Sequence, residues 1–356
     1  PAGAQAGRTA DGPDESTRRF ADTLRDPCFI IDLRAHLRYA NPAAMREFPG
    51  ATPGDPLAFT LRNPSFLNTV DQAIRAGRRA EGEFSVSIPT EAWYRVEVTP
   101  LEGTSPAPGA GLMTVTLINQ SAQRRLERMR ADFVANASHE LRTPLTSLMG
   151  FLDTLMGPAA GDEAAREKFL GIMRAQAERM ARLIDDLLSL SRIELHQHVR
   201  PTGTANLAYV VGEVIELLQP QVREAGVVIE FESSVEDPVI TGDRHELTQV
   251  LENLIDNALK YGAGGGRVRV TIDRATERAG TDLVVRVADF GAGIAADNVP
   301  RLTERFYRVD AESSRRKKGT GLGLAIVKHI VTRHRGELAI ASTVGKGTTV
   351  SVYLPL

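Results

Sequence analysis

The sequence of 356 residues has one cysteine and almost no net charge. Cys28 alone cannot form an intrachain disulfide or a thiolate metal cluster, which excludes a disulfide scaffold and fits a reducing compartment. Lys and Arg total 43 against 45 Asp and Glu, so the net charge of −2 does not favour nucleic acid or an acidic membrane as a partner. We therefore expect no nucleic-acid partner, and any function based on charge must be local.

Long hydrophobic runs are also missing. No stretch approaches the roughly 18 consecutive apolar residues that a membrane helix needs, and runs such as 112–118 have the length of strands. We expect this chain to be cytoplasmic. Because it begins at Pro1 rather than at Met, the sequence leaves open that it is the cytoplasmic portion of an inner-membrane protein whose membrane segment is absent.

The composition of 42% hydrophobic and 25% charged residues predicts a soluble globular protein, and the length predicts two or three domains. We expect a flexible lead over 1–18, because it is polar and lacks an apolar period. Short β-rich runs alternate with helical stretches over 19–118, which predicts an α+β domain. Within it, the Gly/Pro-rich segment 103–111 is typical of a hairpin loop between the last two strands.

Two long amphipathic helices are predicted over 119–200. The first carries an apolar stripe from Phe133 to Leu155 and stops at Gly157-Pro158, and the second runs over about 162–196. A two-helix hairpin leaves apolar seams uncovered. We therefore expect an antiparallel hairpin that pairs with a second copy as a dimeric four-helix bundle.

Helices and strands follow in α/β order over 206–356. Apolar and polar residues alternate along the strands, so we expect a two-layer α/β sandwich with one sheet face covered by helices and the other wet. The predicted helices and strands are helices 207–224, 244–261 and 321–334, and strands 227–233, 267–273, 283–289, 337–342 and 348–354.

His139 falls on the side of its helix opposite the apolar stripe, so we expect it to face solvent. Thr143 lies one turn further on, and Pro144 leaves the carbonyl of Glu140 without an intrahelical partner, which favours a kink. A neutral imidazole is nucleophilic through one nitrogen while a carboxylate such as Glu140 holds the other. Taken alone, such a histidine is more often an ordinary surface residue.

The whole string 133–146, Phe-Val-Ala-Asn-Ala-Ser-His-Glu-Leu-Arg-Thr-Pro-Leu-Thr, resembles the phospho-acceptor motif, or H-box, of sensor histidine kinases. This resemblance implies that His139 is phosphorylated and that Glu140 is its acid/base partner. It implies that Thr143 places water when the enzyme dephosphorylates its partner. It also implies a homodimeric four-helix bundle.

A second group of polar residues begins on the helix after Asp243. Asn253 and Asn257 share one face, with Lys260 and Tyr261 one turn further on. The amide oxygen of Asn257 can bind Mg²⁺, an ion that takes few protein ligands when phosphates supply the rest, and Lys260 adds positive charge beside those phosphates. Two asparagines alone would more often be surface residues.

Glycine-rich segments follow. Asp289 ends a strand and can accept a hydrogen bond from an adenine amine, while Gly291 and Gly293 allow close backbone approach; the alternative is an ordinary β-turn. The segment 319–323 opens a helix, whose free N–H groups suit a phosphate. The basic run 315–318 before it is either a solvated surface or a lid over a triphosphate.

Taken in order, these segments resemble the N, G1, F, G2 and G3 boxes of the ATP-binding domain of histidine kinases, with Glu304-Arg-Phe-Tyr-Arg as the F box and Gly345/Gly347 as the G3 box. The resemblance implies ATP and Mg²⁺, with Asn257 as the metal ligand. Lys318 departs from it, because many relatives have glycine there. The nucleotide-binding residues that we expect are Asn253, Asn257, Lys260, Tyr261, Asp289, Gly291, Gly293, Arg315, Arg316, Lys317, Lys318, Gly319, Thr320, Gly321, Leu322, Gly323 and Thr348.

Residues 19–118 more faintly resemble a PAS sensor domain, through the strand 28–32 and Tyr39-Ala-Asn-Pro-Ala-Ala. An unknown ligand or partner of this domain is left open. Cys28, His36 and Trp93 are expected to be packing or loop residues rather than flavin or haem ligands, because no binding motif surrounds them.

The resemblance implies a kinase that phosphorylates His139 from Mg-ATP, passes the phosphoryl group to an aspartate of a response-regulator receiver domain, and also dephosphorylates that regulator. The overall sequence also resembles the phosphate-regulon sensor subfamily. One alternative is an ATPase of the superfamily that includes gyrase and heat-shock chaperones, which carry Glu at the position of Asn253; Glu252 points about 100° away. The other is a ligand-binding dimer scaffold. P-loop and Ser/Thr/Tyr kinase motifs are missing from the sequence.

Overall fold

The computed structural model describes residues 13–87, 91–101, 111–158, 161–196, 198–275, 282–309 and 319–356. The chain divides into two compact units, 1–132 and 133–356, and each is described by itself. No helix within these ranges combines the length and hydropathy that crossing a membrane requires.

The first unit contains a five-stranded antiparallel sheet in the order β2-β1-β5-β4-β3, and the α+β prediction is confirmed. Its elements are α1 (Glu15–Thr23), β1 (Cys28–Asp32), β2 (Leu37–Ala40), α2 (Pro42–Glu47), α3 (Leu57–Thr60), α4 (Pro64–Ala76), β3 (Ala80–Val86), β4 (Ala92–Leu101) and β5 (Leu112–Asn119). The prediction of a flexible lead over 1–18 is wrong for its last residues. Helix α1 begins at Glu15, because the Asp14 side chain caps it by accepting from the Thr17 N–H at 2.8 Å. The predicted loop 103–111 lies outside the described residues except for its last position.

Asn41 is fully buried and joins three parts of this unit. Its amide group donates to the carbonyl oxygens of Ala21, at the end of α1, and Asp26, each at 3.0 Å. Its Oδ1 accepts from the N–H of Cys28 at 3.0 Å and from that of Ala44 at 2.8 Å. The side chain therefore satisfies backbone groups of α1, β1 and α2 at once.

The second unit begins within a helical hairpin of α5 (Ser121–Met156) and α6 (Glu163–Leu195), which confirms the prediction of two long helices. Asp162 caps α6 by accepting from the Ala165 N–H at 2.9 Å. Near the turn, the rings of Phe151 and Phe169 stack at 5.2 Å between centroids. Pro144 lies inside α5, which continues past it to Met156.

The rest of the second unit is a two-layer α/β sandwich, as predicted. The five-stranded sheet has the order β11-β12-β10-β9-β7, with β7 parallel to β9 and the other pairs antiparallel. A small pair, β6 and β8, lies apart from it. The elements are β6 (Thr204–Asn206), α7 (Leu207–Leu217), α8 (Gln219–Ala225), β7 (Val228–Ser233), β8 (Val239–Thr241), α9 (Arg244–Gly262), β9 (Arg267–Arg274), β10 (Asp282–Asp289), α10 (Gly323–Arg333), β11 (Glu337–Thr343) and β12 (Gly347–Pro355), with 3₁₀ turns at Ala263–Gly265 and Ala296–Arg301.

Two expectations for this sandwich need correction. The single helix predicted over 207–224 is two helices, because Pro220 starts a new helix after Leu218. The sheet face predicted to be wet is only partly exposed to solvent. Arg286 on this face is half-buried. Val284 is fully buried, beside Tyr353 and Asp273 in the neighbouring strands.

The apolar seam of α6 is partly covered within the chain itself. Leu183, Leu190 and Ile193 are 3%, 1% and 4% exposed and share one apolar core with residues such as Val210 and Ile326 of the sandwich. The sequence predicts that a second copy covers this stretch of the seam. The sandwich covers it instead, so only the rest of the hairpin is left for a second copy.

Candidate functional site

His139 lies in the middle of α5 and is exposed, as predicted. One turn further on, the Thr143 hydroxyl donates to the His139 carbonyl oxygen at 3.2 Å, and Pro144 is buried. Because proline has no N–H, the carbonyl of Glu140 lacks its usual helical partner. The imidazole is therefore exposed on a helix whose backbone hydrogen bonding is interrupted one turn further on.

Glu140 is bound by two arginines from different elements. Its Oε2 accepts from Arg308 Nη2 at 2.9 Å and from Arg179 Nη2 on α6 at 3.2 Å. The side chain of Arg308 is 9% exposed and that of Glu140 is 29% exposed, so this ion pair is largely shielded from solvent. No hydrogen bond joins Glu140 to His139 in the part of the chain that the structure describes. The acid/base role of Glu140 therefore stays a prediction.

Asp289 ends β10 beside two glycine-rich turns. Its Oδ1 accepts from the Gly291 N–H at 2.9 Å. Burial raises the pKa of this carboxyl group, while backbone hydrogen bonds from Gly291 and Thr348 oppose that shift. Backbone donors therefore fix the half-buried carboxyl group at the end of its strand.

Three glycines make the backbone approaches at this end of the sheet possible. A Cβ on Gly291 would lie 2.6 Å from Gly262 Cα, at the end of α9. A Cβ on Gly293, where φ is +67°, would lie 2.0 Å from the Thr343 oxygen, and one on Gly347 would lie 2.1 Å from the Asp289 oxygen. The predicted G1 and G3 segments and the end of α9 therefore meet, and any larger side chain would separate them.

The glycine loop, residues 319–323, contacts the predicted F box at Phe306 and the predicted N box at Asn253. The Phe306 N–H donates to the Gly321 oxygen at 2.8 Å, and Gly321 has φ +76°. A Cβ on Gly323, the first residue of α10, would lie 2.5 Å from Asn253 Oδ1. No described side chain caps α10, so its first N–H groups are available to an anion such as a phosphate.

Thr320 binds two residues that lie outside this loop. Its hydroxyl donates to Asp186 Oδ2 of α6 at 2.8 Å, and its carbonyl oxygen accepts from Arg308 Nη2 at 3.1 Å. The sequence did not single out Asp186, Arg179 or Arg308 individually. The sequence did contain a signal that Asp186 has a partner, because this carboxylate lies within the apolar stripe of α6.

The residues predicted to bind the metal and the phosphates lie on α9. Asn257 is half-buried and forms no side-chain hydrogen bond to any residue that the structure describes, so its amide oxygen fits a Mg²⁺ ligand. Lys260 forms an ion pair with Asp256, and Tyr261 is 41% exposed. Asn253 instead donates from Nδ2 to the Gln249 oxygen at 2.9 Å.

The other predicted nucleotide-binding residues are Thr348, Leu322 and the basic lid residues. Thr348 Oγ1 lies 2.9 Å from Ser342 Oγ, beside Asp289 in the sheet register, and Leu322 is fully buried. The predicted lid residues Arg315, Arg316, Lys317 and Lys318 lie outside the described residues. The contacts therefore bring together Asn253 with Gly323 and Asp289 with Gly291 and Thr348, and none of them includes His139.

Glu252 does not take the place of a water-activating glutamate. Burial raises the pKa of its carboxyl group, while the charge of His245 lowers it and that of Asp256 raises it further. Asn253, the next residue, is the one that faces the glycine loop at Gly323. The geometry agrees with the sequence argument against the ATPase alternative.

Two family models match the chain. Residues 129–196 match "His Kinase A (phospho-acceptor) domain", and residues 242–356 match "Histidine kinase-, DNA gyrase B-, and HSP90-like ATPase". The first range contains His139 and the second contains every residue predicted to bind nucleotide.

The chain is similar to curated sensor proteins over most of its length. It is 34% identical to the phosphate regulon sensor protein PhoR of Pseudomonas aeruginosa, over 93% of this chain and 72% of that protein. It is 35% identical to the sensor protein kinase WalK of Staphylococcus aureus strain Newman, over 97% of this chain and 57% of that protein. Among solved structures, the histidine kinase ThkA in complex with response regulator protein TrrA has a TM-score of 0.51 at 17% identity and covers 96% of this chain and 98% of that one. The last similarity concerns the fold alone.

Proposed function

Because the chain belongs to the sensor histidine kinases of two-component systems, which are ATP-dependent enzymes, we propose that it transfers the γ-phosphoryl group of Mg-ATP to His139 and then to an aspartate of a response regulator. The observation that carries this proposal is an exposed histidine on α5, in the same unit as the predicted nucleotide site, where glycines allow close backbone contacts. ThkA, which was solved with a response regulator protein, supports the choice of partner class.

Different residues of this chain carry out different parts of the reaction. A nitrogen of the neutral His139 imidazole attacks the γ-phosphorus, the N–P bond forms, and the bond to the ADP oxygen breaks. Glu140 accepts the proton that the imidazole loses. Asp289 binds the adenine amine, and the N–H groups at the start of α10 bind phosphate oxygens. As in other phosphoryl transfers, positioning and charge neutralisation provide most of the rate.

We assign Mg²⁺ to Asn257, whose half-buried amide has no other partner among the described side chains. When bound, the ion would neutralise phosphate charge beside Lys260. We assign the same hairpin a phosphatase activity toward the regulator through Thr143. The Thr143→Ala variant should then keep autophosphorylation and lose phosphatase activity.

A homodimer is the third part of the proposal. The exposed apolar side chains of the hairpin, Leu145, Met149, Leu152 and Met156, are 48%, 58%, 45% and 79% exposed and suit a second copy. For the first unit, the antiparallel sheet with α2, α3 and α4 between β2 and β3 supports the assignment to the PAS class. The phosphate-regulon assignment stays a prediction, because relatives named PhoR and WalK match at 34% and 35% identity.

The proposal is tested by incubating the chain with γ-labelled ATP. We expect label that is stable in base and labile in acid, as a phosphoramidate is, and no label in the His139→Gln variant. Label that persists in that variant, or that resists acid as a hydroxyl ester does, would contradict the proposal. Rapid release of phosphate without a labelled protein would favour the ATPase alternative.

A further inference from the structure

The glycine loop is held by two carboxylates of the helical hairpin. Asp186 of α6 accepts directly from the Thr320 hydroxyl at 2.8 Å. Glu140 of α5 acts through Arg308, whose Nη2 reaches both Glu140 Oε2 at 2.9 Å and the Thr320 carbonyl at 3.1 Å. The segment assigned to nucleotide phosphates is therefore already in contact with acidic groups of the same chain.

The Asp186 carboxyl group is affected by burial, by a hydroxyl donor and by nearby charges. Burial raises the pKa of its carboxyl group, while the Thr320 hydroxyl and the charges of Lys260 and Arg182 lower it, and the charge of Asp185 raises it. Lys260 is also the cation that the sequence assigns to the phosphates. A hydroxyl group that suits a phosphate thus binds a carboxylate in this structure, and the ammonium group of Lys260, which is itself paired with Asp256, adds its charge nearby.

We propose that Asp186 is an internal anion of the glycine loop, and that its contact with Thr320 competes with nucleotide binding. The proposal rests on the proposed function, because it needs ATP at this loop. Two anions cannot share one hydroxyl donor and the same neighbouring cation without repulsion. Nucleotide binding therefore displaces α6 from the loop, and docking of the hairpin weakens nucleotide binding by the same factor.

The contact through Arg308 adds a second link that must open. Arg308 Nε is buried without a hydrogen-bond partner among the described residues, so this guanidinium group is not fully satisfied where it lies. Opening of the Asp186–Thr320 contact leaves Arg308 as the remaining polar link to the loop. Displacement of the hairpin carboxylates then separates Glu140 from Arg308 and leaves it paired with Arg179 of α6.

The test measures the dissociation constant of a non-hydrolysable Mg-ATP analogue with the whole chain. We expect Asp186→Asn to lower this constant about fivefold or more, which is the range of allosteric coupling between two sites. The substitution keeps the size of the side chain and removes its charge. Asp185→Asn is the matched control, because Asp185 is the adjacent, exposed acid, and its constant should not change.

A second arm separates competition from a loss of structure. In a Thr320→Val background, Asp186→Asn should change the affinity less than it does in the unmodified chain, because the shared hydroxyl is gone and only the charge effects are left. An Asp186→Asn variant that is folded by circular dichroism and binds the analogue as the unmodified chain does, or more weakly, overturns the inference alone. If the unmodified chain binds no nucleotide, the proposed function fails, and the inference fails with it.

Discussion

Glu140 and Arg308 are 168 positions apart in the chain, yet Oε2 of the first lies 2.9 Å from Nη2 of the second. Because the same nitrogen donates to the Thr320 carbonyl, one guanidinium group joins the phosphoacceptor helix to the glycine loop. Arg305 forms a second ion pair across this contact, with Glu194 of α6. The position of the nucleotide-binding domain is thus linked to the residue next to His139.

Glu140→Gln should lower the initial rate of autophosphorylation by about 100-fold or more, because an amide cannot accept the imidazole proton. The rate is measured as label incorporated at saturating Mg-ATP. Asp153→Asn is the control, since Asp153 is an exposed carboxylate on the same helix, and its rate should not change. A rate that rises in Glu140→Gln would show instead that the contact with Arg308 is the main role of Glu140.

Gly293→Ala should abolish detectable nucleotide binding and lower the free energy of unfolding by more than about 1 kcal/mol. The new Cβ would lie 2.0 Å from the Thr343 oxygen, at a φ of +67°. Calorimetric titration and thermal unfolding measure the two effects. Gly226→Ala separates φ strain from the clash, because φ there is +64° and no atom lies within 4 Å; it should cost about 1 kcal/mol and leave binding unchanged. Equal behaviour of the two variants would rule out the clash as the cause.

Stability should fall as the pH is lowered through about 6.5, the ordinary value for histidine. Burial lowers the pKa of His334, although a hydrogen bond to the Ile330 oxygen and the charge of Glu246 oppose this. At pH values between the pKa of His334 in the folded chain and its pKa in the unfolded chain, the unfolded chain therefore binds more protons. The free energy of unfolding decreases in that range as the pH falls. In the folded protein, neutral Nε2 accepts from the Asp243 N–H at 3.0 Å, a bond that a protonated ring cannot make.

The measurement is the unfolding midpoint between pH 8 and pH 5. His334→Gln should flatten this dependence, because its amide oxygen can accept from Asp243 without titrating. His198→Gln, at an exposed position, should keep the slope of the unmodified chain. An unchanged slope in His334→Gln would assign the pH dependence to another group.

Asn41→Ala should destabilise the first unit by about 3 kcal/mol or more, because it leaves several buried backbone groups without partners. Denaturant unfolding can be followed by the fluorescence of Trp93, the single tryptophan, which lies in β4. Asn63→Ala is the matched control. Asn63 caps α4 at a partly exposed site, so its loss should cost about 1 kcal/mol. Similar losses in the two variants would contradict the assigned role of Asn41.

Periodicity in the sequence was enough to predict most of the second unit. Helix α9 was predicted over 244–261 and is Arg244–Gly262, and β9 and β10 differ from their predictions by one residue at an end. The strands β2, β6 and β8 were missed, because segments of three or four residues are too short to show an alternating pattern.

The polar contacts of the site could be predicted only in part. Motif order suggested that Asn253 and the glycine loop belong to one site, and the structure brings them together. The pairs of Thr320 with Asp186 and of Arg308 with Glu140 join residues 134 and 168 positions apart. Such pairs depend on how α6 packs against the sandwich, and no local pattern of one sequence determines that packing.

The burial of Leu183, Leu190 and Ile193 in the core of the sandwich restricts how the catalytic domain can travel. Complete detachment would return three aliphatic side chains to water, at about 1.5–3 kcal/mol each. If the domain instead rolled along α6, each of these three side chains could exchange one apolar neighbour for the next without contacting water. If His139 is the acceptor, as proposed, we therefore expect ATP to reach its imidazole by a rotation of the ATP-binding domain about α6, with no step in which that domain detaches completely.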